Sequence, residues 1–84
     1  MLTEFFNVLS HPVRIQLLKI LSTQQSCVCG EVLDVGTFSQ ATILGHLREL
    51  KRVGLVQGEL EGAQRCYQLN LEALQQFKRM VNTL

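Results

Sequence analysis

Ser39-Gln40-Ala41-Thr42-Ile43-Leu44-Gly45-His46-Leu47-Arg48-Glu49-Leu50-Lys51-Arg52-Val53-Gly54-Leu55-Val56 is the stretch whose reading decides the fold of this 84-residue chain. Ser39 is a strong helix N-cap, and Ile43, Leu47 and Leu50 recur at i, i+4 and i+7, so one face of the helix is core. Gly54 stands where a helix end favours a residue free to take positive φ, which predicts a helix from the Ser39 cap to about Val53. At about 100° per residue, Ala41, Gly45, Arg48 and Arg52 lie opposite the core line, flanked by Thr42, Leu44 and Glu49. A helix that points small residues and arginines outward can enter a DNA major groove. The competing reading of Arg48, Lys51 and Arg52 is the solvated face of an ordinary helix.

The segments on either side supply the context. Leu2, Phe5, Phe6 and Leu9 predict a short amphipathic helix over 2–9, stopped by Ser10-His11-Pro12. Pro12 suits the first turn of a second helix capped by Ser10 or His11, with Val13, Leu17, Ile20 and Leu21 on one stripe that Ile15 and Leu18 widen. The pattern dissolves over 22–26, and Cys27-Val28-Cys29 reads either as a short extended piece or as the start of a helix. Residues 30–35 are long enough for about two helical turns, with Gly36 as their C-terminal stop. Beyond Gly54, Leu55 to Gln57 and Arg65 to Leu69 read as two strands around a turn over 58–64, signalled by Gly58 and Gly62. Asn70 caps a last helix whose face carries Leu71, Leu74, Phe77 and Val81. Short helix, turn, long helix and glycine-turned hairpin follow the order of a winged helix-turn-helix, mainly α with a small β-hairpin wing, α-α-(β)-α-α-β-β-α, in one domain spanning 1–84.

Composition narrows the class. The chain is 46% hydrophobic and 18% charged, and no apolar run is long enough to span a membrane. The apolar residues of the terminal helices (Leu2, Phe5, Phe6 and Leu9; Leu74, Phe77 and Val81) exceed what one small core covers, which predicts a homodimer through those helices. Net charge is only +1, but residues 39–58 alone sum to +2 while 1–38 and 59–70 each sum to −1, so the positive charge gathers on the candidate recognition helix. Three cysteines, two of them one residue apart, form no closed disulfide set, and no secretory signal opens the chain. The expected location is the reducing cytoplasm.

The wording Leu9-Ser10-His11-Pro12-Val13-Arg14-Ile15, then Cys27-Val28-Cys29, Phe38-Ser39-Gln40-Ala41-Thr42-Ile43 and His46-Leu47-Arg48-Glu49-Leu50-Lys51-Arg52-Val53-Gly54-Leu55-Val56, resembles the ArsR/SmtB family of bacterial metal-sensing repressors over nearly the whole chain. The resemblance implies a dimeric winged helix that represses a promoter at an inverted-repeat operator and is released by its inducer. It implies that Ser39 and Gln40 meet phosphate or base edges and that Thr42, Arg48 and His46 face DNA; Gly45 and Arg52 join them on the outward face by their spacing, and Arg65 is the candidate wing contact to phosphate. For His46, about 60° from the core line, a half-buried place beside Leu47 is the alternative. Cys27 and Cys29 resemble the family's thiol motif for arsenite, antimonite or a soft divalent metal, ions for which thiolates are the fitting donors. The third cysteine of arsenic-responsive members falls here on Val32. The last helix has no histidine, so the family's other, Asp/His/Glu zinc site has no counterpart.

In winged helices the short segment ahead of the supporting helix pairs with the last wing strand, which would bring Cys27 to Cys29 near Arg65 to Tyr67. Cys66 is therefore the candidate third metal ligand, against the reading of a small buried hydrophobe. Other functions compete: the same fold responding to redox through a cysteine disulfide, a winged helix for protein contact alone, and a thiol enzyme. The enzyme reading ranks last, because no histidine lies near Cys27 and Cys29 in sequence to serve as base. DNA binding itself needs no cofactor.

Overall fold

The computed structural model describes residues 2–24, 28–29, 38–61 and 64–84, with the backbone alone at 29, 59–61 and 64–65. Among them the elements run α1 (Leu2–Val8), α2 (Pro12–Ser22), β1 (Val28–Cys29), α3 (Gln40–Arg52), β2 (Val56–Glu61), β3 (Gln64–Leu69) and α4 (Leu71–Asn82). The helix expected over 30–35 lies outside the described residues. No helix among the described residues is long and apolar enough to cross a membrane.

The recognition-helix candidate α3 forms as its pattern dictates. Ser39 sits in extended backbone and its Oγ accepts from the Thr42 backbone N–H at 3.2 Å. Ile43, Leu47 and Leu50 are buried, and together with Leu17, Leu18 and Leu21 of α2, Phe5 and Val8 of α1, and Leu55, Val56 and Tyr67 they make the core. Gly54 takes a φ of +88°, the left-handed turn that ends α3 and sends the chain into β2. Ile15 departs from the predicted stripe: it is 41% exposed, at the edge of the face that meets α4. Neither candidate caps α2 with its side chain. His11 occupies the N-cap position without a side-chain hydrogen bond, and the Ser10 hydroxyl donates to the Asn7 carbonyl at the end of α1.

The three strands form one antiparallel sheet in the order β1-β3-β2, with β3 in the middle. The predicted turn over 58–64 is too long. β2 and β3 continue to the pair Glu61↔Gln64, and Gly58 is a strand residue opposite Tyr67. Its absence of a side chain serves close approach: a Cβ there would lie 3.3 Å from Tyr67 Cε1 and 3.4 Å from Lys51 Nζ.

Asn70 fastens the wing to both neighbours. Its Oδ1 accepts from the Ala73 N–H at 3.2 Å as the α4 cap, while its Nδ2 donates to the Gly54 carbonyl at 3.0 Å and its backbone N–H donates to the Leu55 carbonyl at 2.9 Å. The terminal helices meet through aromatic edges. Phe77 of α4 stands 5.3 Å from Phe5 and 5.5 Å from Phe6, both ring pairs near perpendicular. Asn70→Ala removes one cap and one cross-link and is expected to lower the unfolding free energy by about 1–2 kcal/mol in urea titration, whereas a change below the error of the titration would deny Asn70 this role.

Candidate DNA interface and cysteine pair

The outward face of α3 is bare. Ala41, Thr42, Gly45, Arg48 and Arg52 are exposed, and so are Ser39 and Gln40 at the helix start. Arg48 makes no hydrogen bond or ion pair among the described residues, so its guanidinium is available to a phosphate or a guanine edge. Arg52 is occupied: its Nε donates to Glu49 Oε2 at 2.7 Å, one turn back. That hydrogen bond holds the Glu49 carboxyl below the usual carboxylate range. The pair is surface-exposed, and such pairs contribute little, so a phosphate can take Arg52 over. The Ser39 and Thr42 hydroxyls lie 2.9 Å apart and are shared within the cap. The Arg65 side chain lies outside what the structure describes.

His46 is half-buried on the flank of α3, the placement read as the alternative to direct DNA contact. Its Nδ1 accepts from Arg14 Nε at 3.0 Å, and its ring centre lies 5.6 Å from that of His11. Burial, then the Arg14 charge, then His11 push its pKa below the ordinary 6.5. Sequence reasoning did not find Arg14 as a partner, since the two residues stand 32 apart in the chain.

The cysteines come together through the sheet. β1 pairs with β3 in the register Val28↔Tyr67 and Cys29↔Cys66, so two cysteines face one another across an antiparallel ladder. Cys66 is buried, with 1% exposure, and its sulfur is engaged in a disulfide. Cys27 lies outside the described residues.

An amphipathic helix with a bare, arginine-bearing outer face, seated on a helical pair and followed by a β wing, defines a winged helix-turn-helix DNA-binding regulator. The comparisons narrow this class: residues 11–57 match bacterial regulatory proteins of the arsR family, and the chain belongs to that family. It is 37% identical over 73 residues to the arsenical resistance operon repressor of Staphylococcus xylosus, covering 87% of this chain and 69% of that one. It is 32% identical over 82 residues to an uncharacterized HTH-type transcriptional regulator of Methanocaldococcus jannaschii, 96% of this chain and 91% of that one. Its fold matches the crystal structure of a possible transcriptional regulator for arsenical resistance with a TM-score of 0.81 at 26% identity, over 93% of this chain and 80% of that one. The family is one of transcriptional regulators, not enzymes, and the thiol-enzyme reading falls.

Arg48→Ala is expected to weaken binding to DNA and to lower the slope of log affinity against log salt by about 1, as loss of one phosphate contact does. Unchanged affinity and slope, measured by fluorescence anisotropy on the duplex immediately upstream of the coding sequence, would take Arg48 out of the interface.

Proposed function

We propose that the chain is a homodimeric repressor that holds an inverted-repeat operator through α3 and releases it when arsenite, antimonite or a soft divalent metal ion binds the thiolates of Cys27 and Cys29, with Cys66 as third donor. In the working state the thiols are reduced, as a cytoplasmic location provides. The observation that carries the inducer reading is the Cys29↔Cys66 register, which brings a third cysteine opposite the Cys-Val-Cys motif. Three thiolates satisfy a trivalent arsenic centre that two leave incomplete. Cys27 enters on its spacing and on the family resemblance.

The path from this site to DNA is short. β3 pairs with β1 on one side and β2 on the other, and β2 leaves the end of α3 through Gly54 and Leu55, whose N–H donates to the Leu50 carbonyl at 3.0 Å. A ligand that changes how β1 sits on β3 acts on the strand layer against which α3 is seated. Coupling of the usual size, about 1–3 kcal/mol, lowers DNA affinity by a factor of about 5 to 150.

The dimer reading rests on the apolar surface left over. Although Phe5 is buried and Phe77 packs on it, Phe6 (46%) and Val81 (38%) stay exposed on the two terminal helices. Burying such a patch between two copies favours association. Two-fold symmetry then sets the recognition helices about 34 Å apart, one DNA turn. Ser39, Gln40, Thr42, Gly45, Arg48 and Arg52 carry the groove contacts, Arg65 a wing contact.

A second reading has its own support in the Cys66 disulfide. Two thiols give up two electrons and two protons to an oxidant such as a small-molecule disulfide, which leaves as its two thiols, and the oxidised protein is the signalling state.

Cys27→Ser and Cys29→Ser are each expected to bind DNA as the wild type does and to ignore arsenite. Cys66→Ser with a wild-type arsenite response would remove the third donor, and release by a mild oxidant but by no metal or metalloid would move the proposal to the redox reading. For assembly, sedimentation is expected to show a dimer that Val81→Glu weakens; a wild-type monomer at micromolar concentration would overturn the dimer.

A further inference from the structure

Arg14 joins three helices. Its Nη1 donates to the Val8 carbonyl at 3.2 Å, at the end of α1 where helix carbonyls lack an intrahelical donor. Its Nε donates to His46 Nδ1 at 3.0 Å, on the flank of the recognition helix. Both contacts are partly buried. A guanidinium only donates, so this bond needs a lone pair on Nδ1, and the neutral imidazole must carry its proton on Nε2. The other group facing the imidazole is the ring of His11 at the N-cap of α2, 5.6 Å away; Glu49, one turn on along α3, feels the Arg14 charge but is hydrogen-bonded to Arg52. Protonation of Nδ1 would set a donor against a donor and a cation against a cation.

We propose that Arg14 is a positioning residue for DNA binding: its bond to His46 seats the recognition helix on α1 and α2, and protonation of His46 breaks that seat and weakens DNA binding. The proposal goes beyond the inducer reading and does not need the cysteines. What it uses is the geometry of a winged helix-turn-helix, in which the way the recognition helix sits on the helices behind it decides whether the outer face of α3 enters the groove.

The sign follows by linkage. Seated, His46 resists protonation, since its burial, Arg14 and His11 all lower its pKa; unseated, it titrates near its ordinary 6.5. Protons therefore favour the unseated form and compete with DNA. Affinity is complete above pH 6.5 and is lost as pH falls toward the depressed value, with a limiting slope of about tenfold per pH unit for one proton. Simple electrostatics predicts the reverse, because a new positive charge beside phosphates tightens binding. The direction of the pH effect separates the two.

The test is fluorescence anisotropy on the labelled duplex from immediately upstream of the coding sequence, with the reduced full chain at constant ionic strength between about pH 8 and about pH 5.5, spanning the ordinary histidine range. Circular dichroism melts at each pH keep every variant below its Tm. Wild-type affinity is expected to fall on acidification. His46→Gln keeps an acceptor for Arg14 and does not titrate, so its affinity is expected to show no pH slope. Arg14→Ala is expected to bind about tenfold more weakly at high pH with a flattened profile, and Arg14→Lys, with a single donor in reach, to recover part of the loss. His11→Gln is expected to keep the slope. A wild type that binds more tightly in acid, a His46→Gln that retains the wild-type slope, or a His11→Gln that abolishes it would each overturn the proposal, as would a folded Arg14→Ala with wild-type affinity. If Arg14→Ala does not fold, the His46→Gln slope decides.

Discussion

Everything in this molecule depends on α3 burying one line of side chains while leaving the opposite line bare. Leu47 and Leu50 are wholly inaccessible and Ile43 nearly so, packed with Leu17 and Leu21 of α2 and with Leu55 just past the helix end. Each buried leucine contributes about 1.5–3 kcal/mol of transfer free energy, so rotating the helix to hide its arginines would forfeit several of these at once. The interface is thus oriented by the core and not by its own polar contacts. Gly45 on the outer face, where a Cβ would meet nothing within 4 Å, has no packing role to conflict with close approach to DNA.

The second constraint is the central place of β3. A three-stranded sheet with β3 inside gives Cys66 and Tyr67 partners on both edges, and both are buried. Tyr67 lies over Gly58 with Lys51 beside the same spot, so the middle strand, the wing and the end of α3 share one contact region. Any event at Cys66 is one residue from that region. A wing attached only at its turn would have no such route to the recognition helix.

Periodicity made α3, its Ser39 cap and its Gly54 stop legible, because a long amphipathic helix writes its buried face into the sequence at i, i+4 and i+7. The pairing of β1 with β3 was legible from the habit of the fold, while the residue-level match of Cys29 with Cys66 required the ladder itself. Gly58 was misread for a physical reason: a glycine that admits an aromatic ring across a strand pair and a glycine that turns the chain are the same letter. The Ser10 cap failed because the hydroxyl found a nearer acceptor in the Asn7 carbonyl, closing α1 instead of opening α2. The Arg14 to His46 bond left no signal, since a hydrogen bond across 32 residues has no period, and the two readings of His46, a DNA contact or a half-buried place beside Leu47, do not involve Arg14.

The charge balance bears on how such a regulator lets go. A chain of net charge +1, with Arg48, Lys51 and Arg52 as the cations of α3, offers few phosphate contacts. Sequence-independent affinity grows with the number of phosphates neutralised, so a protein with few of them binds random DNA weakly and depends on well-placed base contacts. The same poverty makes release easy. Where a strongly basic protein would stay on DNA after losing 1–3 kcal/mol of specific binding, because about as much remains in its phosphate contacts, this one has little non-specific affinity to fall back on. On the proposed function, a modest disturbance of the seat of α3, through β3 or through the Arg14 bond, would then be enough to change occupancy.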